Sequence, residues 1–476
     1  MFAQFKRLGA DSLLYAFMNV GTKLIAFIML PVYTNYLPPS VYGVLDIVDR
    51  WTAMLTFLII FGTDSALSFF YFDTKDKEKR LEHVRNVMYF RIFIVSILAL
   101  LVLTAGPWIS ELLFKDRDYV SLLYISIGVL FVDTILVVVL MVLRFDFKTK
   151  KVVFFTVFKM LLVAILSYLV LRFFIRTPEG VLLGRISSSI IIAVLLLSSS
   201  IKYLKPKISF SSMKEMLKYA APLVPASLAF WVLANASAFF LQAFYSTAEV
   251  GIYGAATKLA TVITLLTSGV QMAWRPYSMS IKDKENSPLL FSKIYMGLLL
   301  LGMVGILAIA TVMPYIIGIL GDDYFHAYQY VALISAATFL NFYYMIISAG
   351  LFFTKKTSAI SITFAIVAVI NTILNITLIP LYSIWGAVAA YLIAYMVAII
   401  FIFRKSQQSY YVPISFGKMS FLFSNMIAAV IAIIYVQEQD MSFVYILLAW
   451  LYVLVITGIS RIDKDFKRKE MPAGQH

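Results

Sequence analysis

The chain has 476 residues, 62% of them hydrophobic and 14% charged, with a formal net charge of +15 and a mean hydropathy of +0.89. A soluble domain is about 45–50% apolar and about 25% charged, so this composition excludes a soluble enzyme, a secreted scaffold and a disordered chain. At about 20 apolar residues per span, the chain can furnish roughly fourteen membrane helices, in runs too long and continuous for a strand-built barrel.

Taken in chain order, the polar breaks bound apolar helices at 11–34, 41–70, 87–110, 119–143, 152–174, 180–200, 216–244, 250–278, 290–313, 326–352, 358–379, 383–403, 415–436 and 441–460. The fold class is therefore an all-α polytopic membrane protein of about 14 transmembrane helices. The first helix carries Lys23 and no small-residue cleavage site, so it reads as a span and not as a signal peptide. No break is long enough for a soluble domain, and no phosphate-cradling glycine motif occurs, so ATP hydrolysis by the chain itself is not expected.

The basic residues set the orientation. Of the 40 Lys and Arg, 30 fall in the termini and the loops after even-numbered helices, whereas the remaining loops hold only Lys115, Arg117, Arg172 and Arg176. Lys and Arg accumulate on the cytoplasmic side, so both termini are expected there. The positive charge thus reads as topology, and no nucleic-acid partner is implied. There is no cysteine, and His83, His326 and His476 are scattered between a loop, a helix boundary and the C-terminus. No disulfide, thiol or metal centre, and no cofactor, is expected.

The two halves resemble each other at an offset of about 205–211. Phe147-Lys148-Thr149-Lys150-Lys151 is echoed by Phe352-Phe353-Thr354-Lys355-Lys356, Pro107-Trp108-Ile109 by Pro314-Tyr315-Ile316, Val41-Tyr42-Gly43 by Ile252-Tyr253-Gly254, and Gly180-Val181-Leu182 by Gly386-Ala387-Val388. A repeat of six helices, an even number, keeps both copies in one orientation as parallel repeats. The expected division is 1–207, 208–405, and 406–476 for two appended helices and a basic tail. Enzymes rarely need two equivalent halves, whereas transporters commonly have them.

Six cations lie within spans: Lys23, Arg50, Arg91, Lys159, Arg185 and Lys258. The acids there are Asp46, Asp49, Asp64 and Asp133. A charge at mid-bilayer costs about 2.5–3.5 kcal/mol, so such residues belong in a protein interior or a wet cavity. Asp46 and Arg50, four apart on one helix face, can pair, while Asp49 projects elsewhere. Arg91, near the inner surface, can snorkel to headgroups. Lys23 and Lys258, with no acid within a turn, read as cavity cations, and Arg275 as an inner-gate cation or a positive-inside residue. A positive cavity suits an anionic solute. Asp46, Asp49 and Asp64 are candidates for ion coupling or gating. Gly21 and Pro31 in the first helix, and Pro222 and Pro225 in the seventh, are candidate hinges, since proline removes a helix hydrogen bond.

The segment Leu30-Pro31-Val32-Tyr33-Thr34-Asn35-Tyr36-Leu37-Pro38-Pro39-Ser40-Val41-Tyr42-Gly43 resembles polysaccharide flippases, in which a helix-1 proline precedes a Leu-x-Pro-x-x-Tyr-Gly turn. Glu249-Val250-Gly251-Ile252-Tyr253-Gly254 and Ala273-Trp274-Arg275-Pro276-Tyr277 are similar to the second-repeat version and to the end of helix 8. The resemblance is to the Wzx-type oligosaccharide flippases of the MOP superfamily, relatives of MurJ lipid II flippases and MATE antiporters. It implies two six-helix bundles in a V, two extra C-terminal helices, and residence in a bacterial cytoplasmic membrane. It also implies an undecaprenyl-pyrophosphate-linked oligosaccharide as cargo, turned to the outer leaflet by alternating access, with membrane lipid and the polysaccharide polymerase machinery as partners. By position it assigns cargo binding to Lys23, Arg50 and Lys258, with Arg275. A MATE-type cation-coupled antiporter and a MurJ-like lipid II flippase are the alternatives.

Overall fold

The computed structural model describes residues 2–205 and 208–460. The expected boundary near 207 and the basic tail beyond Ser460 lie partly or wholly outside them. Among the described residues there are helices and short 3₁₀ turns and no strand. The chain forms two compact units, one up to Gly251 and one from Ile252 on.

The first unit begins with α1 (Phe2–Tyr36), which runs through Pro31 and ends where Leu37 N–H closes on Tyr33 O. Pro39 then opens α2 (Pro39–Ile60) at a position where its missing N–H costs nothing. The span expected over 41–70 crosses as one by length and composition, Pro39–Asp73, but its helix is interrupted. Phe61 and Gly62 both adopt left-handed φ, 46° and 70°, before α3 (Thr63–Asp73). Gly62 is needed there twice over, because a Cβ on it would lie 2.7 Å from the Ala220 carbonyl oxygen.

α4 (Lys77–Phe114) starts ten residues before the expected 87, capped by Asp76 accepting from Glu78 N–H. Its 38 residues reach about 57 Å, well past a bilayer core of about 30 Å. His83 therefore sits on a helix and not in the expected loop, 3.0 Å from the Ser212 hydroxyl. α5 (Val120–Phe145), α6 (Thr149–Phe173) and α7 (Pro178–Ser200) follow. The seventh expected helix, 216–244, is divided into an amphipathic α8 (Phe210–Ala220), a 3₁₀ turn and α9 (Val224–Phe244). Leu67, Val84, Val139 and Met216 meet in a core shared by α3, α4, α5 and α8.

α9 belongs to this unit by packing. Gln242 Nε2 donates to Phe114 O at 3.2 Å, Lys115 Nζ donates to Ala243 O at 2.7 Å, and Trp231 Nε1 donates to Arg50 O at 3.3 Å. Compactness thus divides the chain at Gly251, whereas the expected division at 207 counts equivalent helices.

α10 (Thr247–Ala260) begins in the first unit. It continues into α11 (Ile263–Ile281) across a 49° bend, so the eighth expected span is a broken one. The second unit adds α12 (Ser287–Ile317), α13 (Tyr328–Ile347), the short α14 (Ala349–Phe353), α15 (Ser358–Ser409), α16 (Phe416–Glu438) and α17 (Phe443–Ile459). A straight α15 would measure about 78 Å. It is instead interrupted at Ser383 (φ 50°, ψ −125°). Asn371 Nδ2 donates to Ala390 O at 3.3 Å, and the Phe364 and Tyr395 rings lie 6.3 Å apart. Residues so distant along one helix can meet only if it folds back, so α15 is an antiparallel pair, in line with the helices expected at 358–379 and 383–403.

By length and composition eleven helices of the described residues can cross a membrane, or twelve with the α10–α11 pair. The difference from fourteen lies in α15, which counts once although it doubles back, and in α17, whose 17 residues are short for a bilayer. Lipid offers no hydrophobic drive between helices, so close packing must hold them. α13 does this with small buried residues, Ala332, Ser335, Ala336 and Ala337.

The backbone also marks the repeat. Phe147 (φ 55°) and Lys355 (φ 59°) are both left-handed. The next residue in each case reaches back five positions, Lys148 N–H to Leu143 O at 2.9 Å and Lys356 N–H to Leu351 O at 2.8 Å. These are matching Schellman ends at an offset of 208. The similar Phe-x-x-Lys-Lys letters had suggested 205, a shift of three residues.

Candidate functional site

Asp46 and Arg50 pair at 2.6 Å with side chains only 4% and 8% exposed. The Arg50 fork also donates to Ala234 O on α9 at 3.3 Å. Asp49, one turn face away, is held by both terminal nitrogens of Arg185 on α7. Arg91 does not snorkel. It is 1% exposed and donates to the Thr63 hydroxyl at 2.7–2.9 Å and to Asp64 at 2.5 Å. The break at Phe61–Gly62 turns Thr63 and Asp64 toward α4, and these oxygens hold the guanidinium inside. Asp133 accepts from Lys159 at 2.5 Å and from the Ser189 hydroxyl at 2.7 Å. This last cluster joins α5, α6 and α7. Its only signal in the sequence was a mid-span acid and a mid-span base on consecutive helices.

Each of the four interior acids of the first unit therefore holds one interior base. An ion in hydrocarbon is tolerated when paired and hydrogen-bonded. Among the expected cargo cations, Arg50 lies within such a pair, while Lys23 on α1 is exposed and Lys258 on α10 is half-buried. Arg275 on α11 is exposed, with its guanidinium 4.4 Å above the Phe352 ring.

Arg50 and Lys258 are related by the same offset of 208 as the Schellman ends. So are Gly43 and Gly251. A Cβ on Gly43 would lie 1.7 Å from Thr247 O, and one on Gly251 would lie 2.0 Å from Pro39 O. Thr247 is itself 208 beyond Pro39, so the contact is reciprocal. The start of α2 and the start of α10 thus cross backbone to backbone, seven residues before each cation. The Tyr-Gly letters had aligned Gly43 with Gly254 instead.

The expected hinges sit in different settings. Gly21 lies mid-α1 with open space where a Cβ would point, and α1 stays helical through Pro31. There Asn35 Nδ2 donates to Pro31 O at 2.8 Å. Pro222 lies in the 3₁₀ turn before α9, and Pro225 in the first turn of α9, where no hydrogen bond is lost. Among the described residues no group of three His, Cys, Asp or Glu could hold a metal.

The multi-pass helical fold is similar to those of solved flippase and transporter structures. The fold matches the inward closed lipid II flippase MurJ with TM-score 0.66, at 14% identity, over 96% of this chain and 100% of that one. It matches a multidrug resistance MATE family transporter of the MOP superfamily in its inward-facing form with TM-score 0.57, at 14% identity, over 82% and 93% of the two chains. The outward-facing form of such a transporter gives 0.52, at 17% identity, over 83% and 94%. No curated protein sequence matches. The profile of the polysaccharide biosynthesis protein family matches residues 8–282, more than half of the chain. The chain belongs to that family.

Proposed function

We propose that this protein is a flippase that turns an undecaprenyl-pyrophosphate-linked oligosaccharide from the cytoplasmic to the outer leaflet for cell-surface polysaccharide assembly. Transport runs by alternating access through a central cationic cavity in a bacterial cytoplasmic membrane, with both termini inside. The six-plus-six-plus-two helix division at 207 and 405 is part of this proposal.

The observation that carries it is the excess of interior cations over interior acids in the sequence, with a base bound to each of those acids. Six cations against four acids leave the spans with a net positive charge. A cavity for cationic solutes would need the opposite sign. A pyrophosphate needs cations, its sugars need a polar wall, and its polyprenyl tail can remain in lipid. Membership of a polysaccharide biosynthesis family supports the glycan. Ion coupling by Asp46, Asp49 or Asp64 then requires the ion or proton to displace an arginine.

The test is Lys23→Gln with Lys258→Gln, with polymer export and membrane protein level both measured. A charge-assisted hydrogen bond contributes about 1.5–3 kcal/mol, so each loss should weaken cargo binding about ten- to a hundredfold. Lys→Arg at either site should retain much of the export, since Lys acts as a point charge. Wild-type export by the double variant would refute the cationic mechanism. Drug efflux without any export role would favour a cation antiporter. Native mass spectrometry of co-purified lipid identifies the cargo directly.

A further inference from the structure

α16 packs into the second unit closely along its later turns. Met426, Val430 and Ile433 are buried, and Gln437 Nε2 donates to Ala310 O on α12 at 2.9 Å. Beside its first turns a cleft of about 70 Å³ remains, between α16 and the helices α12, α13 and α15. A water needs only about 10–15 Å³. The walls include Leu299, Leu340, Met396, Ile399, Met419 and Phe423. The polar groups there are the Ser420 and Ser424 hydroxyls and that of Tyr343, which donates to Tyr295 O at 2.8 Å. Water finds few partners on such walls, and an empty apolar void forfeits dispersion contacts. Phe401, next to the lining residue Ile400, and Phe421, next to Ser420, are exposed. They give the cleft an apolar edge, on helices long and apolar enough to cross a membrane.

One turn beyond the cleft the chain becomes basic. Arg404 follows the lining Ile400 by four residues, Lys405 follows Phe401 by four, and Lys418 precedes Phe421 by three. Those spacings put each pair on one helix face. Arg404 and Lys405 are exposed and Lys418 is half-buried. From Arg404 to Val436 there is no Asp or Glu. The turn that carries these cations is fixed. The Phe403 and Phe416 rings lie 5.0 Å apart across it. The Gln407 amide donates to Val412 O at 2.9 Å and accepts from Val412 N–H at 2.8 Å. The Ser292 hydroxyl on α12 donates to Pro413 O at 3.0 Å. A fixed site loses little entropy when its ligand binds. From Phe416 to Ser424 the cleft follows α16 for about 12 Å. An apolar slot that ends in cations fits a molecule with hydrocarbon at one end and negative charge at the other. Basic pockets between membrane helices on the cytoplasmic side take anionic lipid headgroups.

We propose that this cleft binds an anionic phospholipid of the inner leaflet, with an acyl chain in the slot and the phosphate at Arg404, flanked by Lys405 and Lys418. The site stands whether or not the protein is a flippase. The test is native mass spectrometry of the delipidated full-length protein, titrated with phosphatidylglycerol or phosphatidylcholine of the same acyl chains. Phosphatidylglycerol should bind more tightly. Arg404→Gln with Lys405→Gln should weaken it about tenfold and leave phosphatidylcholine unchanged. Ser424→Phe, or the smaller Ser420→Leu, fills the slot and should weaken both lipids. The melting temperature in lipid-free detergent checks that each variant is folded. Phosphatidylglycerol should raise that temperature for the wild type and not for a folded slot-filling variant. Equal binding of the two lipids, or full phosphatidylglycerol binding by the Arg404→Gln, Lys405→Gln variant, would overturn the proposal. Full binding by a folded slot-filling variant would place the lipid elsewhere on the surface and overturn it too. Displacement of phosphatidylglycerol by an equal concentration of a polyprenyl phosphate would give the slot to a polyprenyl chain instead.

Discussion

At the scale of single residues, the interior charges differ in what they can lose. Asp46 and Arg50 are nearly sealed from solvent. Removing one partner of a buried pair costs about 3–5 kcal/mol, whereas replacing both with apolar groups can be neutral. Arg50→Leu alone should therefore reduce the folded yield, and Arg50→Leu with Asp46→Leu should recover most of it. The reading is export in the recovered double variant. Restored export would assign Arg50 to the scaffold, and export that stays lost would assign it to the cargo. Lys159→Gln should be milder, because Asp133 keeps its Ser189 hydrogen bond and a 31% exposed side chain. Thermal melting in detergent ranks these variants directly.

At the scale of elements, two glycine settings predict opposite effects for the same substitution. Gly43→Ala or Gly251→Ala drives a methyl into a carbonyl oxygen of the facing segment. Backbone cannot give way as a side-chain tip can, so each should cost at least the roughly 1–3 kcal/mol of an overpacked site. Because the crossing is reciprocal, the two variants should lower the melting temperature by similar amounts. At Gly21 an added methyl meets open space, so Gly21→Ala should stabilise α1 by about 0.5–1 kcal/mol. If α1 bends during transport, the same variant slows export while raising the melting temperature. An unchanged export rate would remove Gly21 from the hinge set.

At the scale of the whole molecule, the hydropathy pattern and the charge bias were legible in the sequence because they are local. A helix that must satisfy its own backbone in lipid needs a run of apolar residues, and a basic loop resists translocation. The topology expected from this bias, with both termini in the cytoplasm, predicts that Lys79→Cys is labelled by an impermeant reagent in everted vesicles and not in intact cells. The membrane-helical class, the six interior cations and the helical hairpin at 358–403 were likewise readable from composition and breaks. Tertiary structure alone decided the rest. Asp49 meets Arg185 across 136 positions, a pairing that depends on how α2 and α7 pack and on no local spacing. Arg91 turns inward because a left-handed pair at Phe61–Gly62 re-aims Thr63 and Asp64, and a continuous apolar run conceals such a break. The repeat offset of 208 emerged from reciprocal glycine contacts and matching helix ends. Recurring Tyr-Gly and Lys-Lys letters can slide by less than a helical turn, but two backbones in contact cannot.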